Sequence, residues 1–202
     1  MDGFDPYSNS KSCSELVTHS YIRSFFSNKN MPAVSTVRAG NVIGGGDFAK
    51  DRIIPDCVRA VAESKQIRVR NPDSVRPYQH VLEPLFVYLL IARKQYDDFC
   101  FAGAYNVGPD ECDCISTGRL VDLFCDTWGP PTTWGRCTET AALHEAALLQ
   151  LDCTKLKQVF GWAPRWHIED AIRMTCCFSK VWLTGGDIPA EMDEEIHLFM
   201  GV

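Results

Sequence analysis

The sequence predicts an α/β fold built on a buried, mainly parallel sheet. Three observations carry this prediction. Strand-like and helix-like patterns alternate along the chain, residues 33–43 are rich in small and β-branched side chains, and that run leads directly into Gly44-Gly45-Gly46-Asp47. A strand that is apolar on both faces expects cover on both faces, as parallel strands have. Its carboxyl end is where open α/β sheets bind ligands.

The elements follow in order. A helix is expected from about Pro6 to Phe26, because Leu16, Val17, Tyr21, Phe25 and Phe26 recur at helical spacing and Pro6 suits a first turn. It ends in the polar turn Ser27-Asn28-Lys29-Asn30. The strand over 33–43 comes next, then the glycine loop, where the chain leaves the sheet. A short amphipathic helix over Ile54 to Ser64 begins around Pro55, and Gln66 to Arg70 alternates as a short strand. Val81 to Tyr96 is an apolar-faced helix with Glu83-Pro84 in its first turn. Ala104 to Val107 is a strand between Gly103 and Gly108. Ser116 to Trp128 is a helix that Gly129-Pro130-Pro131 stops. Helices over Cys153 to Phe160, with Asp152 as its cap, and Ile168 to Leu183 complete the set. The acidic stretch after Gly186 reads as a solvated terminus.

Composition excludes several classes of function. The 202 residues are 46% hydrophobic and 23% charged, ordinary globular material with room for one substantial core. A net charge of −6 and no basic cluster argue against nucleic acid as a partner. The longest apolar run, Leu85 to Ala92, is too short for a membrane span, and no segment resembles a signal peptide, so a soluble cytoplasmic protein is expected. The ten cysteines fall on helix and strand positions such as Cys57, Cys100, Cys125 and Cys176, which reads as reduced core thiols rather than a disulfide framework. Cys112-Asp113-Cys114 is the one metal-like fragment, and it lacks a second ligand pair at zinc-site spacing; no metal site is expected.

Tyr7 and Lys11 carry the most chemistry. At i, i+4 on a helix they share one face, one turn apart. An ammonium beside a phenol lowers its pKa from the reference of about 10, so the tyrosine can take a proton from a hydroxyl near neutral pH. That is the chemistry of alcohol and sugar oxidation by a nicotinamide. A surface helix that happens to carry both residues is the bland alternative for the pair taken alone.

Several further blocks occur in a fixed order. They are Asp5 to Lys11; Arg38-Ala39-Gly40-Asn41-Val42-Ile43-Gly44-Gly45-Gly46-Asp47-Phe48; Asp51-Arg52-Ile53-Ile54-Pro55-Asp56; Arg76-Pro77-Tyr78-Gln79-His80-Val81-Leu82-Glu83-Pro84-Leu85; Tyr105 to Pro109; and Phe160 to Trp166. Together they resemble the extended short-chain dehydrogenase/reductase family of nucleotide-sugar enzymes, most closely the CDP-glucose 4,6-dehydratases. Where dTDP-glucose dehydratases usually carry an Arg-Asp-Trp type sequence, this chain has Arg76-Pro77-Tyr78, and that difference favours CDP.

The resemblance implies a Rossmann-like fold and a reaction in which NAD takes hydride from C4 of the glucose, water is lost across C5 and C6, and the hydride returns to C6. It implies Tyr7 as base, Lys11 as its electrostatic partner and a ligand of the nicotinamide ribose, and Arg38 beside the cofactor. For the CDP-glucose substrate it implies Asn41, Arg52 and Arg76; a guanidinium at Arg76 suits a diphosphate, which it can clamp with two parallel hydrogen bonds. His80, Trp162 and Trp166 read as structural, the tryptophans as packing anchors.

The match covers nearly all of this chain but about the carboxyl-terminal half to three-fifths of a family member. The glycine-rich βαβ units that hold a dinucleotide, and the strand-end threonine and acid/base pair that assist loss of water, are not in this sequence. The expected organisation is therefore residues 1–48 as the Tyr-x-x-x-Lys helix and following strand, and 49–202 as mainly the substrate-binding region. An unpaired edge on the 33–43 strand, poor stability alone and no activity alone are expected, with a homo-oligomer in the full-length family. A nucleotide-sugar binding module without chemistry, or another NAD-dependent nucleotide-sugar dehydratase or epimerase, are the competing readings.

Overall fold

The computed structural model describes residues 6–27, 31–137 and 146–202. Asp5 and the Asn28 to Asn30 part of the expected turn lie outside them. The chain opens with helix α1 (Pro6–Phe25), followed by strands β1 (Thr36–Ala39) and β2 (Asn41–Ile43). The expected single strand over 33–43 is thus divided at Gly40. A Cβ at Gly40 would lie 2.6 Å from the carbonyl oxygen of Pro77, so only glycine lets the two backbones pass this closely. On either side of this point the strand has different partners. β1 pairs in parallel with β5 (Ala104–Val107), and β2 pairs in parallel with β4 (Val75–His80).

Helix α2 (Ile53–Ala62) and strand β3 (Ile67–Val69) stand where the sequence places them, as do helix α3 (Leu82–Asp97) and helix α4 (Thr117–Trp128). Two short strands were not anticipated. β6 (Cys114–Ser116) runs antiparallel to β4, and β7 (Trp134–Arg136) runs parallel to β3. β4 itself was unexpected as a strand, since Pro77 interrupts it. The register explains the tolerance: residues 75–77 pair with β6 and residues 78–80 with β2, so Pro77 sits where β4 changes partner and has a ladder on one side only.

The end of the chain holds α5 (Thr154–Phe160), α6 (Ile168–Leu183) and α7 (Ile188–Met200). The N-cap of α5 is Cys153 rather than the expected Asp152, which stands one residue earlier; its Oδ1 accepts from the Thr154 N–H at 2.9 Å, and that contact holds its carboxyl below the usual range. α7 corrects the expectation of a solvated tail. Asp187 accepts from the Ala190 N–H at 3.1 Å, a proline stands in the first turn, and Gly201 closes the helix at φ 74°. Phe199 then buries edge-on against Trp166, with ring centroids 5.0 Å apart.

Two cores result. The larger gathers Ile54, Cys57, Ile67, Tyr78, Leu120, Phe124 and Ile172 between β2, β3, β4, α2, α4 and α6. The smaller gathers Val87, Ile91, Tyr105, Val107, Leu156 and Trp162 between β5, α3 and α5, with Val37 and Ala39 of β1 packed on it. β1 and β2, which precede residue 48, join the two cores to later elements: β1 pairs with β5 and packs on the smaller core, and β2 pairs with β4 of the larger. All ten cysteines are free thiols. Cys57 and Cys176 are buried as expected, and burial pushes the Cys176 thiol up to about 12. Cys125 is only partly covered and Cys100 is exposed on a 3-10 turn, against expectation.

Candidate active site

α1 is attached to the sheet by polar contacts. The side of α1 turned inward carries Ser12, Glu15, Thr18 and Ile22, all half-buried, and no described residue of the helix is buried. Arg38 of β1 donates from Nε and Nη2 to the two carboxylate oxygens of Glu15 at 2.8 and 2.9 Å, and from Nη1 to Asn106 Oδ1 at 3.2 Å. Arg38 therefore spans α1, β1 and β5. Nothing in the sequence singled out Glu15, because an acid in the middle of a helix gives no signal of its distant partner.

On the exposed side of the same helix stand Tyr7 and Lys11. Tyr7 is 71% exposed, and the Lys11 Nζ lies 5.0 Å from the centroid of its ring. Arg52 also feels Tyr7: its guanidinium is pushed above its ordinary value first by the hydrogen bond and charge of Asp47, and further by Tyr7. Lys11 thus shares the Tyr7 face of α1, as their spacing predicts, while Arg52 follows the glycine loop and is tied to Asp47.

That loop is held by a net of charged side chains. Asp47 accepts from the Ala49 N–H at 3.0 Å and from Arg52 at 2.9 Å; these contacts outweigh the effect of burial and keep its carboxyl low. Arg59 donates to the carbonyls of Phe48 and Ala49, each at 3.1 Å, and pairs with Asp56. Asp51, at φ 63°, pairs with Arg70 at 3.1 Å. Gly45 packs face to face with Phe178, where a Cβ would lie 2.0 Å from the ring. The glycines serve close packing as well as the turn.

Asn41 and Arg76 fall on the same face of the β2-β4-β6 sheet, since Asn41 is in register with Tyr78 and Arg76 precedes Tyr78 by two residues. Asn41 is half-buried. Arg76 is buried and donates from Nη1 to the Val75 carbonyl at 2.8 Å. Tyr78 is fixed in the larger core, its hydroxyl 2.9 Å from Thr117 Oγ1.

Past Arg76, β4 runs into buried polar groups. His80 is buried, its Nδ1 accepting from the Leu82 N–H at 3.3 Å. Its Nε2 lies 2.7 Å from Glu195 Oε1 of α7, a close contact off the line of a hydrogen bond. Glu83 accepts from the N–H groups of Arg165 and Trp166 at 2.7 and 2.9 Å, while burial pushes its carboxyl above the ordinary value. Both histidine and tryptophans are structural here. Trp162 lies in the smaller core, and Trp166 bridges His80 and Phe199.

Comparison with known proteins agrees with this architecture. Residues 1–175 match the family described as GDP-mannose 4,6 dehydratase. The chain is 41% identical, over 99% of its length, to a CDP-glucose 4,6-dehydratase from Salmonella typhimurium, of which it covers 57%. It superposes on the dTDP-glucose 4,6-dehydratase of Bacillus anthracis, solved in complex with NAD, with a TM-score of 0.73 at 18% identity, covering 89% of this chain and 53% of that one. For the UDP-glucose 4-epimerase of Stenotrophomonas maltophila, with bound NAD, the TM-score is 0.75 at 16% identity, over 92% of this chain and 58% of that one. At such identities the solved structures establish the fold. This chain spans little more than half the length of these proteins. By its sequence match and its fold, the chain belongs to the GDP-mannose 4,6-dehydratase family of nucleotide-sugar enzymes.

Proposed function

We propose that the chain provides the catalytic tyrosine and the substrate side of a CDP-glucose 4,6-dehydratase. The observation that carries this reading is Tyr7, exposed on α1 with Lys11 over its ring. The identity to a CDP-glucose dehydratase supports the choice of base and sugar.

The residues present fit a nicotinamide partner on one side and a sugar hydroxyl on the other. Tyr7 and Lys11 leave α1 on one open face, and the lysine offers donors both to a phenolate and to a ribose hydroxyl. NAD, when bound, supplies a reversible hydride acceptor for the sugar. Tyr7 would remove the O4 proton, with Lys11 beside its ring on the same face of α1. Arg76 would hold the diphosphate and Asn41 would orient phosphate or sugar oxygens with its donor and acceptor. Arg38 would meet a cofactor only by exchanging Glu15 or Asn106; its present contacts make it the strut that sets α1 against the sheet.

Calorimetric titration with CDP-glucose tests the substrate half of this reading. We expect saturable binding that weakens at least ten-fold in Arg76→Lys, which keeps the charge and loses the planar fork. No heat at millimolar CDP-glucose would sink it. Binding without turnover when NAD is added is the result expected of this chain alone, and measurable dehydratase turnover would overturn the expectation that it is inactive alone.

A further inference from the structure

Cys112-Asp113-Cys114 lacks a second ligand pair in sequence, but the fold supplies one ligand from elsewhere. The 3-10 turn Glu111–Asp113 abuts the start of α6, and His167 Nδ1 lies 2.8 Å from Asp113 Oδ2, across 54 residues of chain. Donor atoms of Cys112, Asp113 and His167 all lie within 4.8 Å of one another. We propose that these three residues form a zinc site that clips the turn to the amino end of α6.

The donor set matches the ion. Thiolate, imidazole and carboxylate together suit borderline-soft Zn²⁺ and disfavour Mg²⁺ or Ca²⁺, which want oxygen alone. A tetrahedral ion with bonds of about 2.0–2.3 Å separates its ligands by roughly 3.3–3.8 Å. The His167–Asp113 contact would open by about half an ångström, and the exposed Cys112 side chain would swing inward. Asp113 is already fixed for this role. Its side chain is buried, and Oδ1 accepts from the Ile168 N–H at 3.2 Å, which leaves Oδ2 for the metal. Glu169 stands in the first turn of α6, where a carboxylate offsets the positive end of the helix.

Binding releases protons and changes no oxidation state. The Cys112 thiol proton, and the proton shared by His167 and Asp113 when the imidazole is charged, pass to solvent. A thiolate and a carboxylate then balance the dication, and water completes the coordination. β6 begins at the next residue, and its Ile115 is in register with Arg76, so the clip would stiffen the strand beside the proposed diphosphate ligand. The site itself does not depend on the nucleotide-sugar reading.

The test uses the whole chain, with Co²⁺ as a spectroscopic probe and Zn²⁺ as its competitor. One equivalent of Co²⁺ should give a sulfur-to-cobalt charge-transfer band that Zn²⁺ abolishes. Cys112→Ser should lose the band and weaken zinc binding by about 100-fold, and Cys114→Ser should keep both. Alkylation read by mass spectrometry gives a second measurement that needs no variant. Zinc should slow labelling of Cys112 and leave the exposed Cys13, Cys100 and Cys177 unchanged. A band that survives in Cys112→Ser, no band at all, or equal labelling of Cys112 with and without zinc would overturn the proposal.

Discussion

α1 and α6 are both long helices with apolar residues at helical spacing, and they are held in opposite ways. α6 buries Ile168, Ala171, Ile172, Met174, Cys176 and Phe178, most of them in or against the larger core. α1 buries none of its described residues, and Leu16, Val17, Tyr21 and Phe25 stand out in solvent while Glu15 faces β1. The difference shows that periodicity reports which face of a helix can be covered. Whether anything covers it is decided by the rest of the fold. In this chain Tyr7, the proposed base, rides on the helix with the polar attachment.

The largest expected effect lies in the packed region. Phe124 is fully buried in α4, within the core that α6 covers and stacked on Trp128. Phe124→Ala should cost about 3–5 kcal/mol, read as a shift of the urea midpoint at unchanged slope. A loss below about 1 kcal/mol would mean that the core does not carry the stability assigned to it, and the contrast between the helices would fail.

A second experiment compares anchor with anchor. Glu83 ties the chain just before α6 to α3 through the N–H groups of Arg165 and Trp166. Glu83→Ala removes the acceptor of two part-buried N–H donors and should cost about 1–3 kcal/mol. Glu83→Gln keeps an acceptor and should cost less. The two also differ from the native chain in pH dependence. Burial raises the Glu83 carboxyl in the folded chain above its ordinary 4.5, so the folded state holds a proton that the unfolded state releases between those two values. Stability from this group is highest below 4.5 and falls as pH rises through the raised value. Denaturant midpoints measured from acid to neutral pH should show that fall in the native chain and a flatter profile in Glu83→Gln. Equal slopes in the two would assign the pH dependence elsewhere.

What the sequence could show follows the same divide between local and distant causes. α2, α3, α4 and α6 were legible because each carries its own apolar face and its own stop, such as Gly129 after α4. β4 was not. Arg76-Pro77-Tyr78-Gln79-His80 is polar, and what makes it a central strand is two partners that lie far away in sequence. α7 was missed although Asp187, Pro189 and Gly201 punctuate it, because the acidic stretch between them masked the buried Glu195 and Phe199. At the candidate site, Tyr7, Lys11 and Arg52 were proposed from pattern and resemblance. Glu15, Arg59 and His167 act through partners that no local spacing reveals.

The smallest expected effect on global stability falls on α1, and it sharpens the comparison most. The Arg38–Glu15 pair is partly exposed, so Arg38→Ala should change the unfolding free energy by about 0–1 kcal/mol. Locally it should matter far more, because this pair is the main polar tie of α1 to β1, with Thr36 Oγ1 adding a long hydrogen bond of 3.3 Å to Glu15. Hydrogen exchange read by mass spectrometry should then show α1 amides exchanging sooner in Arg38→Ala, with α6 amides unchanged. In the native chain α1 should already exchange well ahead of α6. Equal protection of the two helices would mean that α1 is covered in solution, by a second copy or another chain, and the apolar side chains exposed on it would be the surface to cross-link.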